Sequence, residues 1–193
     1  DLVVFPHMVS PIFVDNEANM ATFGEYYFGS AYQHPDVLFL SAGIGLGGGI
    51  LHNEELFRGV NGMGGELGHI TMIPDGELCG CGNHGCWETL VSLRALYRYV
   101  DEQRLTDKDS ILFRNSNGKQ AELTIENIVS AAKAGDRVAL VALAKVGRYL
   151  GIGIASLINS LNPSMVVFGG IMSSAWEFLE PVIVSEISTS ALL

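Results

Sequence analysis

The chain has 193 residues, of which 48% are hydrophobic and 17% charged, with 11 basic against 21 acidic side chains and a formal net charge of −10. That size gives one large domain or one lobe of a two-lobe protein, and the low charge fraction excludes a wholly disordered chain. The negative balance excludes binding of nucleic acid, or of an anionic lipid surface, by this segment itself, because phosphate recognition needs a basic face.

Residues 12–15 (Ile-Phe-Val-Asp) read as a short buried strand, and Asn16-Glu-Ala-Asn19 opens a helix to about Phe28. Residues 37–41 form a second apolar strand, followed by the turn-rich run 43–49. Apolar pairs at 50–51 and 56–57 predict a chain that folds back as a hairpin. The stretch 59–68 is a glycine-punctuated loop ending near Glu66, and 70–73 is a further candidate strand. A helix follows from Trp87 to about Val100, with Leu90, Leu93, Tyr97 and Val100 on one face. Residues 101–121 are polar, as in a surface excursion.

Thr124 caps a short helix stopping at Gly135, and Asp136 caps a long one through about Asn159. The longest apolar stretch, 138–158, lies in that helix. Lys145 and Arg148 interrupt it, and Gly147, Gly151 and Gly153 suit close packing, so it reads as a buried helix and not a membrane span. Asn162-Pro163 ends it, residues 165–168 form a strand running into Gly169-Gly170, and a last helix starts near Ser174. Alternating strands and helices give the class α/β. No secretory leader is visible at the start, so the cytoplasm is the expected compartment. The ends, Asp1 without an initiator Met and Leu193 in mid-pattern, read as those of a piece of a longer protein.

The sharpest motif is His69 followed by Cys79-Gly-Cys81-Gly-Asn-His-Gly-Cys86. One imidazole and three thiolates complete a tetrahedral set for Zn²⁺ with no position left open, which makes the ion structural. Three closely spaced cysteines are a poor disulfide framework, and Gly80, Gly82 and Gly85 permit the turns that aim the thiolates inward. The bland alternative is three buried free thiols, and His84 is a substitute ligand expected to face solvent. A metal here would pin Glu66 and Glu88, which flank the set. Gly43-x-Gly45-x-x-Gly48 formally matches a dinucleotide fingerprint, but no helix opens on its last glycine and no βαβ unit is completed.

Glu66-Leu-Gly-His69 with Cys79-x-Cys81-Gly-x-x-Gly-Cys86-x-Glu88 closely resembles the signature of the ROK family of sugar-responsive repressors and sugar kinases. The Asn16–Asn19 segment, the glycine run and the Asn162-Pro…Gly169-Gly170 segment come in the same order. The resemblance implies an actin-like, ribonuclease-H-like ATPase fold, of which residues 1–193 are the C-terminal sugar-binding lobe carrying a zinc knuckle, truncated at both ends and lacking the first lobe. It implies monosaccharide binding by Asn16, Glu17, Glu66, His69 and Glu88, and metal binding by His69, Cys79, Cys81 and Cys86. Such carboxylates and amides suit sugar hydroxyls, since a misplaced hydroxyl leaves a buried acceptor unpaired. Asn19 and Glu25 have a capping or helix-surface role as their alternative.

Two departures separate this chain from the family's kinases. Glu17 stands where they carry an aspartate base, and Ser41-Ala42-Gly43-Ile44-Gly45 replaces a Gly-Thr-Gly-Ile-Gly phosphate loop, leaving Gly43, Gly45, Gly47, Gly169 and Gly170 as a phosphate-loop relic. The run Asp15-Asn-Glu-Ala-Asn19 is most similar to xylose-repressor-type members. The expectation is therefore a sugar-sensing effector lobe, homodimeric or larger, that acts on operator DNA through an absent winged helix-turn-helix domain. An ATP- and Mg²⁺-dependent sugar kinase with Glu17 as base is the alternative.

Overall fold

The computed structural model describes residues 14–104, 107–113 and 123–192. A four-stranded sheet lies at its centre: β1 (Val37–Ala42), β2 (Leu46–His52), β3 (Glu55–Leu56) and β4 (Met165–Gly169), in the order β3-β2-β1-β4. β2 pairs antiparallel with β1, with Leu40 opposite Gly48, and β4 pairs parallel with β1, with Ser41 opposite Gly169. The α/β expectation holds in the form of a mixed sheet.

Side-chain alternation along β1 assigns its two faces. Val37 turns toward α1 (Glu17–Phe28) and packs with Leu51, Phe23, Tyr26 and Val167. Leu38, Leu40 and Ala42 turn to the main core, shared with α3 (Leu93–Glu102), α5 (Arg137–Leu161) and α6 (Trp176–Ser190). With both faces covered, β1 is a nearly unbroken apolar run. The turn predicted over 43–49 is shorter than expected: it closes at Gly45, and Gly47, Gly48 and Gly49 lie within β2. Gly47 and Gly49 lie against α1 and Gly48 against Leu67: a Cβ on Gly49 would stand 1.9 Å from the Thr22 hydroxyl, and one on Gly48 2.6 Å from Leu67 Cδ1.

α1 begins where expected, on an Asn16 cap. The strand placed at 12–15 is not supported by its described part: Val14 is exposed coil, and Ile12 and Phe13 lie outside the described residues. The strand at 70–73 reduces to a single bridge, Thr71 to Cys86, because its partner is a tight knuckle too short to extend a ladder. The helix read from Trp87 to Val100 is two, α2 (Glu88–Val91) and α3. Ser92 breaks it: its backbone is extended, its hydroxyl caps Ala95 N–H, and the next amide, Leu93 N–H, donates to Gly43 O at 2.8 Å. The break shifts the buried face to Ala95, Leu96, Tyr99 and Val100, leaving Leu93 and Tyr97 half-buried.

The 101–121 excursion is not wholly superficial. Ser110 and Leu112 are buried, and the Asp136 carboxylate accepts from Ser110 Oγ (3.0 Å) and Ile111 N–H (2.8 Å) while capping α5 at Ala139 N–H (3.1 Å). α4 (Ile125–Lys133) carries its Thr124 cap as predicted. α5 ends on Asn162 in the left-handed region, and a 3₁₀ turn (Ile171–Ala175) precedes α6, two residues later than the predicted helix start. Among the described residues α5 is the one helix long and apolar enough to cross a bilayer, and 61% of its most apolar window is buried inside the fold.

Candidate functional site

The N-terminus of α1 and the β1–β2 turn face each other across a cleft of about 430 Å³, lined by Asn16, Glu17, Ser41, Gly43, Gly45 and Glu88 among others. Asn16 Oδ1 accepts Ala18 N–H at 2.8 Å, leaving its amide NH₂ for the cleft. Glu17 is the exposed first residue of the helix, where the helix dipole favours a carboxylate. The turn opposite is closed by Gly43 N–H donating to Gly45 O at 2.9 Å. Gly45 carries no side chain because Glu88 fills that space; a Cβ there would lie 2.8 Å from Glu88 Oε2.

Beneath Glu88 lie four donors, His69, Cys79, Cys81 and Cys86, all within 4.8 Å of one another. His69 Nδ1 is 3.5 Å from Cys79 Sγ, and Cys81 Sγ is 3.6 Å from Cys86 Sγ. A tetrahedral ion at about 2.3 Å from sulfur and about 2.0 Å from nitrogen holds its ligands about 3.5–3.8 Å apart, so these two pairs already stand at that spacing, and the set, none of it more than 4.8 Å apart, could hold a metal ion. The loop is shaped by Cys79 N–H donating to Asn83 O and Gly85 N–H to Glu77 O, both at 2.8 Å. Gly82 and Gly85 take positive φ (93° and 66°), whereas Gly80 does not, so two of the three predicted glycines make the turns. His84 is exposed, with Nδ1 2.9 Å from Gly76 O, and stays outside the donor set.

Burial, reinforced by its hydrogen bond to Glu88, pushes the Cys79 thiol up to about 12. Burial also raises Cys86, whereas the backbone N–H of Asn83 lowers exposed Cys81. The Cys79 thiol donates to Glu88 Oε1 at 2.9 Å, and a metal ion would have to displace that proton. His69 joins the cluster to the surface: Nδ1 faces Cys79, while Nε2 lies 3.9 Å from Glu66 Oε2. One imidazole can thus ligate through Nδ1 and present Nε2 outward. Trp87, fully buried between Cys86 and Glu88, donates from Nε1 to Tyr149 O at 2.9 Å and fastens the loop to α5.

The fold brings together Asn16, Glu17, Glu88, Gly43, Gly45 and Gly47 on the cleft, with His69 and Glu66 alongside. Gly169 and Gly170 do not line it. They sit behind the turn, where a Cβ on Gly170 (φ 82°) would lie 2.4 Å from Ala42 O. Asn19 is buried at 5% exposure, not on the helix surface, and its amide reaches Asp15 Oδ1 at 3.4 Å. Glu25 closes the far end of α1, accepting from Ser30 N–H (2.9 Å) and Oγ (2.8 Å). Sequence reasoning missed Arg58, whose guanidinium holds Asp15 Oδ2 at 2.5 Å; a lone arginine after a strand carries no motif that would single it out. That guanidinium and the Asn16 amide hold the Asp15 carboxyl down to about 2.

The model of the ROK family matches residues 6–192. The chain is 41% identical to a glucokinase of Halalkalibacterium halodurans over 174 residues, covering 89% of this chain and 52% of the relative. It is likewise 41% identical to a xylose repressor of Caldicellulosiruptor bescii over 174 residues, covering 88% of this chain and 42% of the relative. The structure superposes on a ROK family glucokinase from Streptomyces griseus, solved with glucose and AMPPNP, at a TM-score of 0.87 and 37% identity, covering 95% of this chain and 59% of that one. The chain thus spans about half the length of the curated relatives it matches.

Proposed function

The chain belongs to the ROK family, and from that premise we propose that it is the sugar-sensing effector lobe of a ROK-type transcriptional repressor. The observation that carries the proposal is Glu17: a glutamate stands at the mouth of the cleft, opposite a turn that reads Ser41-Ala42-Gly43, where the family resemblance puts the kinases' aspartate base. One extra methylene displaces the carboxylate by about an ångström, whereas a general base must lie ~2.6–3.2 Å from the oxygen whose proton it takes. A misplacement of ~1 Å costs on the order of a hundredfold in rate. Hydrogen bonding to a sugar hydroxyl tolerates that displacement, and Ala42 offers no hydroxyl to a phosphate.

In this reading the monosaccharide lies between Asn16 and Glu17 on one side and Glu88 on the other. Its remaining hydroxyls meet His69 Nε2 and Glu66. Glu17, Glu66 and Glu88 accept, while the Asn16 amide donates. His69, Cys79, Cys81 and Cys86 would hold one Zn²⁺ in a closed structural site, where the ion neutralises thiolates and fixes the loop that carries Glu88. Sugar that binds one arrangement of the two lobes better shifts the population toward it. In a homodimer this changes the spacing of DNA-reading domains lying outside this chain. The cytoplasm is the compartment where operator DNA and a reduced thiol cluster coexist.

The equal identity to a glucokinase supports a second reading, an ATP- and Mg²⁺-dependent sugar kinase with Glu17 as base. Backbone amides of the Gly43–Gly45 turn would then face phosphate. Full-length protein tested for operator binding and for ADP production, each with D-glucose and D-xylose, separates the two. Sugar-dependent release from operator DNA with no ADP supports the sensor; turnover of ordinary kinase magnitude without operator binding overturns it.

A further inference from the structure

Two segments that supply the proposed sugar site, residues 15–19 and residues 58–66, are distant in sequence and meet at one ion pair. Asp15 Oδ2 takes the Arg58 guanidinium at 2.5 Å, and Asp15 Oδ1 accepts Asn16 N–H at 2.8 Å and Asn19 Nδ2 at 3.4 Å. The carboxylate therefore fixes the residue that caps α1 and the backbone immediately before Glu17. On the other side, the Arg58 carbonyl accepts Gly64 N–H at 2.8 Å, closing the loop that delivers Glu66, and Leu67 beyond it is buried. The main chain of Arg58 shapes one segment while its side chain holds the other.

We propose that Arg58 and Asp15 are positioning residues that latch the α1 N-terminus to the 58–66 loop, so that Asn16 and Glu17 come into register with Glu66 and His69 as one unit. This rests on the sugar site proposed above. Among the described residues Arg58 has no second ion-pair partner, and Asn19, which is buried, has Asp15 as its side-chain partner. The Arg58 side chain is 48% exposed, so the pair adds little to global stability. Its effect is on geometry: a site that reads hydroxyl positions loses affinity when its two halves move independently.

The test compares full-length wild type with Arg58→Ala, Arg58→Lys, Asp15→Asn and the Asp15→Asn/Arg58→Ala pair. Binding of D-glucose and D-xylose is measured by calorimetry, and amide exchange is followed in segments 15–20 and 59–66. Arg58→Ala is expected to weaken binding of the preferred sugar about tenfold, as for loss of a charge-assisted contact that positions the site. Arg58→Lys should recover part of this, the melting temperature should stay near that of wild type, and the double variant should bind no worse than Asp15→Asn. Exchange should rise in both segments together. Unchanged affinity with unchanged exchange, or additive losses in the double variant, overturns the latch. Wild type that binds neither sugar refutes the sugar site; exchange then decides the latch alone, and a rise confined to one segment refutes it.

Discussion

Glu88 belongs to two sites at once: its Oε1 accepts the Cys79 thiol at 2.9 Å, and its side chain lines the cleft opposite Asn16 and Glu17. The carboxylate that faces the cleft is thus seated directly on the four-donor His/Cys cluster. A change in the cluster must be felt in the cleft, although none of the three cysteines lines it.

Metal content is the first consequence. Freshly purified protein should carry about one equivalent of zinc per chain by elemental analysis, since the donor set is closed. Cys81→Ser should lose most of that metal, lower the melting temperature and weaken sugar binding through the displaced Glu88. A variant that keeps full zinc content and affinity would contradict the coupling.

The joint between the metal loop and α5 is equally exact in its demands. A Cβ on Gly153 would lie 2.1 Å from Cζ2 of the fully buried Trp87, so one of the two must shift. Gly153→Ala should destabilise the fold by about 1–3 kcal/mol, the usual cost of overpacking a core. Urea titration followed by tryptophan fluorescence measures it, and an unchanged midpoint would show that the ring can move aside.

Acid stability should register Asp15. Its folded carboxyl is held down to about 2 by Arg58 and the Asn16 amide, against an unfolded value of about 3.9. The contribution of that carboxylate is complete above the unfolded value and is lost as pH falls toward 2. Because the Arg58 side chain is half exposed, solvent screens the pair, so Asp15→Asn should lower stability only slightly near neutral pH and flatten its decline between about pH 4 and pH 2. Denaturant midpoints across that window test this; parallel curves for both proteins would exclude the contribution.

Glu17 distinguishes binding from catalysis. Glu17→Gln should weaken sugar binding about ten- to a hundredfold, as for removal of a charged hydrogen-bond partner. In a kinase the same change would abolish turnover with a smaller effect on affinity. Glu17→Asp should leave the sensor's affinity near that of wild type while shortening the reach of the carboxylate. Calorimetry with D-glucose and D-xylose beside an ADP assay reads both.

Much of this was legible along the chain because it depends on neighbouring residues. The Asn16, Thr124 and Asp136 caps mark helix starts by hydrogen bonds made within three positions. The buried character of α5 shows in its glycines, and Gly147 and Gly151 do lie against Val182 and Glu186 of α6. The three thiols converge because they lie within one short loop, whereas the choice of His69 over His84 as the imidazole needed the fold.

What the linear order could not decide is where separate segments meet. Whether Gly47–Gly49 turn or extend depends on α1 and Leu67 packing against them, and the end of α2 depends on Leu93 N–H reaching Gly43 O. The Arg58–Asp15 pair joins residues 43 positions apart, and Glu88 shares a cleft with Glu17 only because the β1–β2 turn stands between the metal loop and α1. Local hydrogen bonding and donor chemistry are properties of short sequences, so the sequence by itself determined the caps, the strands β1 and β4, and the convergence of the three thiols. Packing is a property of surfaces brought together from afar, and only the tertiary structure decided that the His/Cys cluster, the cleft and the Arg58–Asp15 pair lie side by side.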